Sequence, residues 1–417
     1  MTKKRPVTIV GAGFSGLTAA YYLQKAGYAV EVIEQATVPG GLISTKHTPW
    51  GLAETAANGA LNSVLLEALA QDVGVRLAFP GPRARKRYVF RGGRPRRFPL
   101  RASEVPGLAG FFGKFAFNRN AVRPREQETI RAWATRAGGE GFAHYLVEAA
   151  TQGIYSGNPE RLSACLIVGR FFEKTRTSAR PSRRGTVAPA MGMGELIDAL
   201  RKRLEEQNVV FRYGMAFRCA PGTPPRPHII AAGADASADI VAPASAELAA
   251  ALRSFEISAI ITATLFFREK SLEGFGCLFP PCEKRPVLGV LIPTDIFPNR
   301  SRDFVAETWM LGGAPGATTA DPAALLKSSD EEIVAIILRE RERAFGKVAN
   351  PVGFAITRWP RAIPHYTTDL ERALPRLLQG ADNVFLHGNY LGQIGLAKIL
   401  ERASGLPEEV AKRGKWQ

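Results

Sequence analysis

Cysteine and histidine are scarce in this chain, with four and five among 417 residues. Cys165, Cys219, Cys277 and Cys282 form no C-x-x-C pair, and the histidines are scattered. That excludes a zinc ribbon or a disulfide framework and suits a reducing cytoplasm. Long hydrophobic runs are also missing, since no stretch approaches the roughly 18 apolar residues that cross a bilayer. The opening MTKKRPVTIV passes straight from basic residues into an apolar run, so no signal peptide is expected there. Acid is absent from residues 83–101, RARKRYVFRGGRPRRFPLR, which hold nine basic residues. The whole chain carries a net charge of +17. Such a field attracts anions, whether phospholipid, nucleic acid or a polycarboxylate, although arginine-rich solvated faces also produce it. No nucleic-acid-binding module is recognisable, so nucleic acid is not an expected partner.

What is present begins at Val7. Residues 7–35, VTIVGAGFSGLTAAYYLQKAGYAVEVIEQ, read as strand, glycine-rich turn, helix and second strand ending in an acid. Gly11, Gly13 and Gly16 have the G-x-G-x-x-G spacing of a pyrophosphate-binding turn, and the following helix offers its N-terminus to the phosphates. Glu34 lies 23 positions after Gly11, near the spacing expected for a carboxylate on ribose hydroxyls. Together these parts specify a Rossmann-type nucleotide site.

The length suggests two or three domains. Residues 1–80, 186–250 and 350–417 are expected to form a discontinuous nucleotide-binding domain. Within them GMGELIDALRKRLEE reads as a helix, whereas VVFRYGMAFR and ADIVAPA read as strands returning to the first sheet. Residues 81–185 are basic, aromatic and helical by pattern, and 251–349 suggest a mixed sheet followed by the helix DEEIVAIILRERERAF. The stretch VPGLAGFFGKFAFNRN groups Phe111, Phe112, Phe115 and Phe117 between basic residues. It suits either a buried helix or a segment dipping into one leaflet of an anionic membrane.

Beyond the first motif, PGGLIST (residues 39–45) resembles the second glycine motif of FAD-dependent oxidoreductases of the amine oxidase superfamily. Four further stretches resemble oxygen-dependent protoporphyrinogen oxidases and the related coproporphyrinogen oxidases. They are GIYSGNPERLS (153–163), LGVLIPTDIFPNR (288–300), RWPRAIPHY (358–366) and GNYLGQIGL (388–396), in the family's order. The resemblance implies an α/β fold: a Rossmann-type FAD-binding domain, a mixed-sheet substrate domain and a helical insertion suited to a membrane surface. It implies FAD as cofactor, a polycarboxylate tetrapyrrole as substrate and O₂ or another electron acceptor. It is compatible with a homodimer and with a cytoplasmic enzyme, peripheral on the inner face of the cell membrane.

Carried over position by position, Gly11, Gly13, Phe14, Ser15, Gly16, Glu34, Gln35, Gly41 and Leu42 would contact FAD. Ala57, Asn58 and Gly59 would lie near the flavin ring, and Asn389, Ile394, Gly395 and Leu396 near the flavin and ribityl end. Arg87, in KRYVF, would pair with a substrate propionate through its planar fork. The sequence departs from the family at Ala56 and Ala57, where glycine and proline are usual, and at Gln393 and Lys398. No catalytic acid–base signature is evident. The five histidines are expected to be structural, with His365 the first to inspect. Two alternatives stay open: another flavin oxidoreductase, acting on amines or polyenes, and a non-catalytic basic scaffold.

Overall fold

The computed structural model describes residues 5–97, 105–173, 179–220 and 226–413. Parts of three sequence features lie outside them: the end of the basic run (98–101), residues 174–178 of the next basic stretch, and the centre of the Pro-rich segment (221–225).

The first sheet has five parallel strands in the order Val210–Arg212, Ala29–Ile33, Pro6–Val10, His228–Ile230, Val384–Leu386. Val7, Ile9, Val32, Ile229 and Phe385 face the helix Phe14–Lys25 and its neighbours Met193–Glu206 and Leu396–Arg413. The opposite face is covered by helices Ala234–Val241, Ala246–Arg253 and Thr368–Gln379. Both faces are therefore buried, as a parallel sheet requires. ADIVAPA departs from expectation, because its first residues end the helix Ala234–Val241. Buried Ala234, Ser237, Ala238 and Val241 repeat at three and four positions, the period of a helix rather than a strand.

The second sheet has seven strands, in the order Gly353–Pro364, Ile257–Phe267, Val305–Gly313, Val287–Leu291, Gly276–Leu278, Arg87–Arg91, Arg94–Arg97. All neighbours are antiparallel except Gly276–Leu278 against Arg87–Arg91, so the sheet is mixed. Three of its strands come from outside 251–349. The hairpin Arg87–Arg91/Arg94–Arg97 opens the segment read as helical, and Gly353–Pro364 lies in the segment read as nucleotide-binding.

Alternation along Ile257–Phe267 divides the sheet into two faces. Ile261, Ala263, Leu265 and Phe267 pack beneath the helix Asp330–Phe345, whose Ile333 and Ile337 are fully buried. Each such side chain contributes about 1.5–3 kcal/mol. On that face the buried Glu307 carboxylate receives Arg341, Ser271 and Trp309, so its charge is paired and its oxygens are occupied. Ile260, Thr262, Thr264 and Phe266 face the other way, toward the hairpin Thr45–Thr48/Gly51–Glu54.

Helices from residues 105–172 complete the molecule. In Val105–Phe117, Leu108, Phe111 and Phe115 turn inward, and Phe111 stacks on Phe142 at 5.1 Å. Phe112 and Phe117 turn outward. Among the described residues no helix is long and apolar enough to cross a membrane.

Candidate active site

At the end of Pro6–Val10 the chain turns sharply, and Gly11 takes φ +108°, which L side chains rarely adopt. A Cβ on Gly16 would lie 1.8 Å from the Gly11 carbonyl oxygen, so helix and turn touch only because both are glycine. Gly13 is different. Its φ of −74° and ψ of −179° suit any residue, and a Cβ there meets nothing nearer than 3.8 Å. What a side chain at Gly13 would obstruct is the open space before the helix N-terminus. Among the described residues no side chain caps that N-terminus, and its dipole is left for an anion.

Glu34 lies at the end of the adjacent strand and accepts the Ala12 N–H at 2.6 Å and the Ala36 N–H at 2.8 Å. Each carboxylate oxygen is thus fixed in place and keeps a lone pair for a further donor. Gln35 is exposed beside it. The side chain of Phe14 is buried in the core, so only its backbone is available, whereas Ser15 is half-buried.

The second glycine motif lies against the first. Gly40 donates its N–H to the Ala12 carbonyl at 2.9 Å, and Gly41 abuts Gly13. From there Thr55 connects onward: its hydroxyl donates to the Leu42 carbonyl at 2.8 Å and accepts the Ser44 N–H at 2.9 Å. Ala57, Asn58 and Gly59 follow, with the Asn58 amide turned back onto the Ala56 carbonyl. A Cβ on Gly59 would approach the Val187 carbonyl oxygen to 2.8 Å.

The closing motif enters the helix Leu396–Arg413, which packs beside Phe14–Lys25. Phe14 and Leu396 line one small apolar void together with Ala60, so the N-terminal ends of the two glycine-entered helices meet. Gly395 has open space around it, and Ile394 packs at the edge of the core.

Strand Gly353–Pro364 connects these segments to the second sheet. The Trp359 indole N–H donates to the Thr55 carbonyl at 2.7 Å. Three residues on, the Ala362 carbonyl accepts from the Asn389 amide at 3.4 Å. Tyr366, fully buried and 5.0 Å from Tyr155, donates its hydroxyl to the Asn389 carbonyl. His365 is also fully buried. Its Nε2 accepts the Asn158 N–H at 3.2 Å, and burial lowers its pKa to about 4. The ring, held neutral, links two loops.

Thr55 and Asn389 thus bring the segment before Gly59 and the closing motif against one strand of the second sheet, and this junction is the candidate cleft. On the face of that sheet turned away from Asp330–Phe345, Met310, Thr357 and Trp359 are half-buried, whereas Thr262 and Thr308 are buried. Arg87 lies four strands further from Gly353–Pro364 than Ile257–Phe267 does; it is exposed, with its guanidinium 4.4 Å from the centre of the Phe275 ring.

Arg300 and Glu54 form a buried ion pair at 2.6 Å, both nearly inaccessible. Burial raises the Glu54 carboxyl, while Arg300, the Thr45 hydroxyl and the Met193 N–H oppose it. Sequence reasoning singled out neither this pair nor Trp359, Tyr366 and Thr55. Arg300, Trp359 and Tyr366 stand inside quoted motifs, and what was missing was the identity of their distant partners.

The sequence pattern of the flavin containing amine oxidoreductases matches residues 14–219 and 229–397. The chain belongs to that family. Curated relatives include the chloroplastic protoporphyrinogen oxidases of Oryza sativa subsp. japonica and Nicotiana tabacum, each 24% identical. The alignments span 95% and 96% of this chain and 86% and 84% of the relatives. Among solved structures, a putative protoporphyrinogen oxidase from Exiguobacterium sp. 255-15 superposes with a TM-score of 0.78 at 16% identity, covering 99% of this chain and 100% of that one. A putrescine oxidase redesigned in its cofactor binding superposes at 0.75 and 14%, covering 99% of each chain. These two likenesses establish the fold. As a flavin containing amine oxidoreductase the chain is an FAD-dependent oxidoreductase. The open cradle at Gly13, the uncapped helix and the fixed Glu34 carboxylate fit the pyrophosphate and ribose of that cofactor.

Proposed function

We propose that this oxidoreductase converts a porphyrinogen, protoporphyrinogen IX or coproporphyrinogen III, to the porphyrin with O₂ as acceptor. The observation that carries the reading is convergence. The four stretches resembling porphyrinogen oxidases are far apart in sequence, yet they pack against one another. Asn158 meets His365, Tyr366 meets Asn389, and Leu288 packs with Ile260, Met310 and Trp359. The names of the curated relatives support the same substrate class.

Bound FAD supplies a two-electron acceptor, so three turnovers with three O₂ remove six electrons and yield three H₂O₂. The protein's own part is to hold and orient. In this reading Gly13 and the helix N-termini seat the cofactor, and Ala57, Asn58, Gly59 and Asn389 border its reactive end. Met310 and Thr357 on the sheet face lie toward the macrocycle. Arg87 receives a propionate.

The finer location we propose is an anionic membrane surface. Phe112 and Phe117, 58% and 95% exposed, lie on the outward side of their helix, which also carries the exposed Lys114. Aromatic rings and cations together suit one leaflet. The test is porphyrin formation, followed by fluorescence, from each porphyrinogen under air, with putrescine and cyclohexylamine as competing substrates. Porphyrin at a rate well above autoxidation supports the reading. Turnover of the amines alone overturns it.

A further inference from the structure

The strand Gly353–Pro364 meets both segments of the cleft, and one of its two contacts depends on a side chain of its own. The donor is the Trp359 indole N–H and the acceptor is the main-chain carbonyl of Thr55, 2.7 Å away and 304 positions earlier in the chain. Thr55 is itself fixed on the other side, because its hydroxyl bonds to both Leu42 and Ser44 of the second glycine motif. Among the described residues, the three that follow it, 56–58, are held only locally, by Asn58 on the Ala56 carbonyl.

We infer that Trp359 is a positioning residue, whose indole N–H sets where the segment from Thr55 to Gly59 stands against the sheet face. The ring beneath that bond packs with Ile260, Met310 and Leu288, so its orientation is fixed by apolar contacts and the N–H is aimed. Thr55 is buried, so its carbonyl cannot find water in place of a lost donor without a shift of the segment that follows it. A displacement of an ångström beside a reacting centre lowers turnover far more than it lowers binding. This inference rests on the cleft being the flavin site and makes no use of the identity of the substrate.

The test compares wild type with W359F, which keeps most of the ring and lacks the donor, and with W359Y as a second variant. Hydrogen exchange of the peptide covering residues 52–59 should accelerate in both variants, with and without FAD, while exchange elsewhere and FAD content stay as in wild type. The visible circular dichroism of the bound flavin should change. The kcat on porphyrinogen should fall roughly ten- to hundredfold with KM within about twofold. Exchange at 52–59 and flavin dichroism that match wild type would overturn the inference, whatever the activity. If wild type fails to oxidise any porphyrinogen but exchange at 52–59 still responds, the positioning role stands and the substrate reading fails.

Discussion

The indole nitrogen of Trp359 lies 2.7 Å from the carbonyl oxygen of Thr55, and this contact connects the second sheet to the segment that follows the second glycine motif. Trp359 is paired in register with Ile260 on the second sheet, and Thr55 is hydrogen-bonded to the glycine motif against the first. Cofactor seat and sheet face are therefore built by different parts of the chain and brought together by polar contacts and by apolar packing of Trp50 and Ala53 on Phe266. Seat, sheet face and the supports behind them can be perturbed separately.

Two glycines of the first motif should fail in different ways. G16A forces a methyl group to within 1.8 Å of the Gly11 carbonyl oxygen, and should cost about 3 kcal/mol or more by denaturant unfolding of the apoprotein. G13V meets no such obstacle and has a permitted backbone. It should leave apoprotein stability near wild type and abolish FAD retention on gel filtration.

Glu34 holds two backbone N–H groups and would receive ribose hydroxyls. A charge-assisted hydrogen bond contributes about 1.5–3 kcal/mol, so E34A should weaken FAD binding roughly ten- to hundredfold in a fluorescence titration.

Arg300 and Glu54 are both buried, so removing one partner strands the other. R300L should destabilise the protein by about 3–5 kcal/mol in urea unfolding, and the double variant E54L/R300L should recover much of that loss.

Acid should unfold this protein partly through His365. Its folded pKa is depressed from 6.5 to about 4, so below pH 6.5 the unfolded chain binds a proton that the folded chain refuses. Stability from this group is complete above that pH and falls progressively as pH drops toward 4, by about 3 kcal/mol in all. His387, fully buried and lowered to about 3, acts in the same direction. H365N should flatten the dependence of unfolding free energy on pH between 6.5 and 4.

Much of the fold was legible because its signals are local. The G-x-G-x-x-G turn and Glu34 report a strand–helix–strand unit within about thirty residues, and the amphipathic stripe of Met193–Glu206 needs only its own spacing. Sheet membership was harder to read. Gly353–Pro364 pairs with Ile257–Phe267, far earlier in the chain, and nothing in either sequence names the other. ADIVAPA misled because alanine and valine suit either element over a short span, and burial under the helical period decided it. The Phe-rich stretch was read as core or membrane contact. The helix turns Phe111 and Phe115 inward and Phe112 and Phe117 outward, a split its composition alone does not reveal. In the site, motif residues were legible and their partners were not, as Trp359 and Thr55 illustrate.

The most direct test of the central claim is an anaerobic titration of the purified, FAD-loaded protein with protoporphyrinogen IX and, separately, coproporphyrinogen III. At least one ring should bleach the oxidised-flavin absorbance while porphyrin fluorescence rises, and air should restore the flavin. An FAD-loaded protein that neither ring reduces would contradict that claim.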